Sequence, residues 1–343
     1  MSLTLETVAE LAGVSRSTVS RVINEHPNVR QEVRDRVWQT IRETGYQPNL
    51  AARSLVTQRT GIIGLVIPRA TQSLFTDPYF PRLIQGISQA CNAHEGTLAL
   101  FMFRTKVEEQ KLYPRVARTR WLDGVIIAAS NVGDPLVAQL LVTGLPFVMV
   151  GRPDDLTNVS FVQPDNIAGA QAAVSHLIRL GYERIATITG PLNSTVGIDR
   201  RQGYLDALNE RSGTVDESLI VEGDFTEAGG YAAMQRLLPY RPDAVFAASD
   251  MMAFGALRAL RGADLAVPDD VAVVGFDDLP ASTSCNPPLT TMRQPIRRSG
   301  IQAMEMLIDI LDNGPKPPRQ VTLSTVLVIR SSCGAGRGSV RMV

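Results

Sequence analysis

From Gly61 onward the chain repeats one pattern, a short run of apolar residues without alternation followed by an amphipathic stretch. The runs are 62–67, 98–103, 125–129, 147–150, 185–188, 244–247 and 271–274. A strand that is apolar at successive positions must be covered on both faces, which is the condition of a parallel sheet sandwiched between helices. The intervening stretches supply such helices: Leu83, Ile87 and Ala90 share one helical face, as do Ala170, Ala173, Val174 and Leu177. About 270 residues of this pattern exceed one hydrophobic core, so two doubly wound α/β lobes are expected.

The first 60 residues follow another period. Leu5, Val8, Ala9 and Ala12 fall on one face of a first helix, with Thr4 as its N-cap and Gly13 as its end. Ser15 caps a second helix whose inward side is Val19, Val22 and Ile23, and Val14 plugs the turn between the two. Its outward side carries Arg16, Ser17, Ser20, Arg21 and Asn24, side chains that hydrogen-bond base edges and phosphate oxygens. A third helix over 29–44 repeats Val33, Val37 and Ile41, then meets Gly45 and Pro48. The three helices make a small all-α headpiece with a core of marginal size. Charge is a weak guide: this region holds eight arginines, no lysine and six acids, although no acid occurs between Thr44 and Thr76. Residues 49–60, NLAARSLVTQRT, are too few to hold a helix alone in water, so a hinge that folds only against DNA is expected.

Other classes find little support. The longest apolar runs are about a third of a bilayer span, and the N-terminus does not read as a signal peptide, so a cytoplasmic protein with no membrane partner is expected. Three scattered cysteines, Cys91, Cys285 and Cys333, fit reduced thiols better than disulfides or a metal site. His26, His94 and His176 are far apart and read as structural or surface residues. The sequence Gly334-Ala-Gly336-Arg-Gly338 imitates a phosphate loop but has no helix after it. No enzyme, no cofactor and no metal are expected.

The block TLETVAELAGVSRSTVSRVIN with the later GYQPNLAARSL resembles the headpiece of the LacI/GalR family of bacterial transcriptional regulators. The likeness continues through DNIAGA (165–170), HLIRLGYERIA (176–186), FAASDMMAFGAL (246–257), VAVVGFDD (271–278) and PPLTTMRQP (287–295), nearly the whole chain. The resemblance implies a helix-turn-helix domain at 1–48, a hinge at 49–60, and a core at 61–331 like that of periplasmic sugar-binding proteins. Its lobes would be 61–161 with 293–320 and 162–290 with 321–331, leaving 332–343 as a disordered tail. It further implies a repressor, a homodimer or dimer of dimers, that binds pseudo-palindromic operator DNA under control of a small effector held between the lobes.

The DNA-binding candidates are Thr4, Ser15, Arg16, Ser17, Thr18, Ser20, Arg21 and Asn24 in the headpiece and Asn49, Ala52 and Leu55 in the hinge. By the resemblance Leu55 wedges into a minor-groove base step. The effector candidates are Tyr79, Phe80, Arg152, Asp165, Arg200, Phe225, Ser249 and Asp277. Several of them sit at strand C-termini, where open parallel sheets bind ligands. A carboxylate, a guanidinium fork and aromatic walls suit a sugar, which offers hydroxyls on its edges and C–H groups on its faces. A purine between the aromatics is the alternative, although the loop after Gly190-Pro191 has Ser194 and Val196 where purine-responsive members carry an arginine and a threonine. A sugar-binding protein without DNA function is the remaining rival. Asp250 and Asp278 are expected to cap helices or bond loop amides.

Overall fold

The computed structural model describes residues 3–23, 26–46, 59–70, 75–128, 131–154, 158–212, 215–314 and 317–335. The chain divides into two compact units, Met1–Thr60 and Gly61–Val343.

In the first unit, α1 (Leu5–Ala12) begins where the Thr4 side chain accepts the Thr7 amide at 3.3 Å, and it stops at Gly13, whose φ of 62° suits glycine. The next helix, α2 (Arg16–Ile23), starts on Ser15, whose Oγ accepts the Thr18 amide at 3.1 Å. The third, α3 (Gln31–Thr44), begins two residues later than expected and ends on left-handed Gly45. Val8, Ala9, Ala12, Val19, Val22, Val37, Ile41 and Tyr46 form the core, with Val14 and Val33 packed at its edge. Each fully buried aliphatic side chain contributes about 1.5 to 3 kcal/mol, so so short a roster leaves a unit of modest stability. The hinge candidates Asn49, Ala52 and Leu55, and Asn24 of the second helix, lie outside the described residues.

The second unit holds two sheets. The chain runs β1 (Ile62–Ala70), α4 (Tyr79–Ala93), β2 (Thr97–Phe103), α5 (Lys106–Ala117), β3 (Gly124–Ala128), α6 (Pro135–Thr143), β4 (Phe147–Val150) and β5 (Phe161–Pro164). It then crosses to α7 (Asn166–Arg179), β6 (Ile185–Thr189), α8 (Thr195–Ser212), β7 (Ile220–Glu222), α9 (Glu227–Leu237), β8 (Ala244–Ala247), α10 (Asp250–Gly262), β9 (Ala272–Asp277) and β10 (Thr290–Arg293). It returns for α11 (Ile296–Asn313) and β11 (Gln320–Leu323), and crosses a third time to β12 (Val326–Val328). The first lobe's sheet has the order β11-β5-β4-β3-β1-β2, the second β12-β10-β9-β8-β6-β7. Every neighbouring pair is parallel except β10 with β12.

Successive strand residues feed opposite cores, as both-face burial requires. Ile63, Leu65 and Ile67 pack with α4 and α11 on one side, while Val66, Val125 and Ile127 meet α5 and α6 on the other. In the second lobe Val245 and Val273 face α9 and α10, and Phe246 and Val274 face α7 and α8.

The lobe borders differ from those the resemblance implied. Residues 162–164 complete β5, and 321–323 pair with β5 as β11, so both belong to the first lobe. The expected tail also starts too early. Ser332 and Cys333 are fully buried in a short 3₁₀ turn, where the Ser332 hydroxyl donates to the Val273 carbonyl at 2.6 Å and accepts the Thr290 amide at 2.8 Å. The Tyr182 hydroxyl donates to the Cys333 carbonyl at 3.1 Å, and the His176 ring lies 3.3 Å from the Cys333 sulfur. Residues 336–343 lie outside the described residues.

Candidate functional site

On the first unit, α2 buries Val19 and Val22 and turns Arg16, Ser17 and Arg21 outward, all exposed. Thr18 and Ser20 are half-buried at its edges. Thr4 and Ser15 act as caps, and Ser15 Oγ also lies 2.8 Å from both the Ser17 and Thr18 hydroxyls. Glu6 approaches the Arg16 guanidinium at 3.1 Å, but both side chains stand in solvent, where such a pair is weak and open to exchange for phosphate.

On the second unit a cavity of about 430 Å³ opens between the C-terminal edges of the two sheets. Its polar floor is made by β9, β10 and α8. Arg200 is 3% exposed, with its guanidinium 3.7 Å above the Phe276 ring. Its Nε donates to Asn166 Oδ1 at 2.9 Å, and its Nη1 donates to the Ala248 carbonyl at 2.6 Å and to Asp277 Oδ1 at 3.4 Å. Asp277 also accepts from the Gln294 side-chain amide and, at 3.4 Å, from the Asp250 backbone amide. Burial pushes the Asp277 carboxyl well above the usual carboxylate range against the pull of Arg200, and burial likewise lowers the Arg200 value against the pull of Asp277. The direct contact is long, and each partner is held by its other neighbours, Arg200 by Asn166 and the Ala248 carbonyl and Asp277 by Gln294 and the Asp250 amide, which fixes both groups at the cavity wall.

The apolar walls come from α4 and from the loop before α9. Tyr79 and Phe80 stand edge to face with centroids 5.3 Å apart, and Phe225 faces them from the second lobe's lining. Phe225 has a φ of 65°, Asp277 of 131° and Asp278 of 57°, backbone conformations that cost energy for residues other than glycine. All three lie at the cavity or beside it. Gly190 is required next to Phe225, since a Cβ there would sit inside the phenyl ring's contact distance.

Of the eight effector candidates, Tyr79, Phe80, Arg200, Phe225, Ser249 and Asp277 line the cavity, Ser249 while also capping α10 through the Met252 amide at 3.2 Å. Arg152 and Asp165 do not. Arg152 turns to Asp199 on α8, and Asp165 caps α7 by accepting the Ala168 amide at 3.1 Å. Asp250 accepts from the Leu279 amide at 2.8 Å and from the Ser282 and Thr291 hydroxyls, bracing the loop after β9. Asp278 binds Arg293 at 2.7 Å and Arg330 at 2.6 Å.

Ten further lining residues had not been singled out as ligand contacts: Thr76, Asp77, Val150, Gly151, Pro164, Asp224, Thr226, Glu227, Met251 and Gln294. Gln294 was detectable, because it comes directly after a strand in the PPLTTMRQP block, much as Asp277 ends its own. Asp77 and Asp224, in loops, and Thr76, in the short helical turn before Asp77, carried no periodic signal. Among the described residues no group of three or more His, Cys, Asp or Glu could hold a metal ion, and no helix is long and apolar enough to cross a membrane.

Comparison with known proteins adds three findings. Residues 4–49 match the model of bacterial regulatory proteins of the lacI family, and residues 174–333 match a periplasmic binding protein-like domain. The chain is 41% identical over 333 residues to the HTH-type transcriptional regulator CelR of Thermobifida fusca, covering 96% of this chain and 98% of that one. It is 36% identical to the HTH-type transcriptional repressor PurR of Edwardsiella ictaluri, covering 97% of each. Among solved structures it is similar to a transcriptional regulator CelR in complex with cellobiose, with a TM-score of 0.77 and 39% identity over 96% of this chain and 99% of that one. It is also similar to the lac repressor dimer bound to operator and the anti-inducer ONPF, with a TM-score of 0.83 and 27% identity over 97% and 99%.

Proposed function

The chain belongs to the lacI family of bacterial regulatory proteins, DNA-binding transcriptional regulators, and from that premise we propose that an uncharged sugar is the effector that enters its cleft. The observation that carries this reading is the composition of the cavity. Three carboxylates, Asp77, Asp224 and Glu227, line it beside the mutually paired Asp277 and Arg200, a field that repels a phosphorylated or acidic ligand. Ligand hydroxyls meet Asp277 and Arg200, and the C–H faces of the sugar rings meet Tyr79, Phe80 and Phe225.

A purine is the second reading, favoured by the aromatic pair and by the similarity to purine repressors. Against it, the wall offers Ser194 and Val196, and valine has no group with which to read a base edge. The similarity to a regulator solved with cellobiose makes that disaccharide the first ligand to try.

In this reading the protein acts as a homodimeric repressor. Arg16, Ser17 and Arg21 contact bases and phosphates of operator DNA, and the hinge with Leu55 completes the contact. Calorimetry of the purified protein with cellobiose, glucose and hypoxanthine tests the effector class. Cellobiose binding with no heat from hypoxanthine is expected, and tight hypoxanthine binding overturns it.

A further inference from the structure

The two lobes are stitched along one edge of the cleft. Beyond β4, Arg152 grips Asp199 of α8 with two N–H groups, Nε to Oδ2 at 2.9 Å and Nη2 to Oδ1 at 2.6 Å. The Asp199 side chain is 5% exposed and that of Arg152 23%. The Arg152 carbonyl accepts the Thr195 hydroxyl at 2.9 Å, and the Val132 amide donates to the Asn193 carbonyl at 2.8 Å. All of these bonds join the ends of β3 and β4 in the first lobe to the start of α8 and the loop before it in the second.

The same two backbone segments form cavity wall. Val150 and Gly151 line the cavity immediately before Arg152, and Arg200 lines it immediately after Asp199. Neither Arg152 nor Asp199 lines it themselves.

We propose that the Arg152–Asp199 pair is an interlobe latch that sets the closed fraction of the effector domain, and so tunes effector affinity without touching the effector. The proposal rests on the reading that the effector binds in this cleft. A ligand enclosed by both lobes binds only the closed form, so its apparent affinity falls in proportion to the closed fraction. Opening rehydrates both ions, because Arg152 already reaches solvent, so the latch biases the equilibrium without locking it. The planar fork of arginine suits this task, since both N–H bonds form or break together as the lobes move.

The test combines hydrogen–deuterium exchange on the ligand-free full chain with calorimetry using cellobiose as the probe. The variants are Arg152→Gln, Asp199→Asn and the charge swap Arg152→Asp with Asp199→Arg. Each single variant is expected to exchange faster at segments 131–134 and 193–199 and to bind cellobiose roughly ten- to a hundredfold more weakly, the size of one charge-assisted contact. The swap is expected to recover most of both effects. Wild-type exchange at those segments in the single variants, or a swap no better than either single change, overturns the latch. Faster exchange that also spreads to the second lobe's core strand 244–247 assigns the pair to structural support and equally overturns it. If the wild-type protein does not bind cellobiose, that result counts against cellobiose as effector alone, and the exchange data still decide the latch.

Discussion

At the scale of single residues, two neighbouring aspartates divide the labour at the end of β9. Asp277 lines the cavity beside Arg200 and Gln294, whereas Asp278 is held by Arg293 and Arg330 and its backbone carbonyl accepts from Arg82 at 3.0 Å. Asp277→Ala removes a charged partner for effector hydroxyls, and a charge-assisted hydrogen bond contributes about 1.5 to 3 kcal/mol, so effector binding should weaken by roughly ten- to a hundredfold. Calorimetry on that variant measures it, and unchanged affinity sinks the assignment. Asp278 should report instead on acid stability. Burial alone would raise its carboxyl, but the bonds to Arg330 and Arg293 outweigh burial and hold it below the ordinary value. Its contribution is therefore present above the unfolded value of about 3.9 and is lost as pH falls through the lower folded value. Melting temperatures between pH 6 and pH 3 should fall more steeply for the wild type than for Asp278→Asn, and parallel curves would contradict this account.

At the scale of elements, the headpiece helices were the most legible part of the chain. Thr4, Gly13, Ser15 and Gly45 each end or begin a helix where their local chemistry placed them, because a cap is satisfied by amides within a few residues. Periodicity also separated the faces of α2, leaving Arg21 exposed opposite Val19 and Val22. An arginine paired to guanine contributes about 1 to 3 kcal/mol of discrimination, so Arg21→Ala should flatten the preference for operator over scrambled DNA. A titration of both duplexes checks this, and full selectivity in the variant would show that another element reads the bases. Strands were legible where apolar residues dominate a run of four or more. Phe161–Pro164, Ile220–Glu222 and Gln320–Leu323 carry polar residues and run for four residues or fewer, and neighbouring strands supply the pairing that makes them strands.

At the scale of the whole molecule, regulation means that effector and operator change each other's affinity by one common factor. The effector should shift operator affinity about five- to 150-fold, the usual range of such coupling, and operator DNA should shift effector affinity by the same factor in the same direction. Effector titrations with and without operator measure one leg and operator titrations with and without effector the other, and an operator affinity unmoved by the effector would contradict this coupling. The parallel α/β lobes, the capped helices and the aromatic and charged residues at strand ends could all be read along the chain, because apolar periodicity and capping act over a few neighbouring positions. Long-range packing settled which arginine serves the cavity and which the neighbouring edge. Arg152 follows β4 closely and Arg200 lies within α8, yet the first is drawn to Asp199 and the second stacks on Phe276 beside Asp277. It also decided that Ser332 and Cys333 are buried, although their small-residue neighbourhood looks like a loose end. Those outcomes turn on partners dozens of residues away, Val273 and His176 for the turn and Asp277 for Arg200, and such proximity exists only once the sheets have assembled.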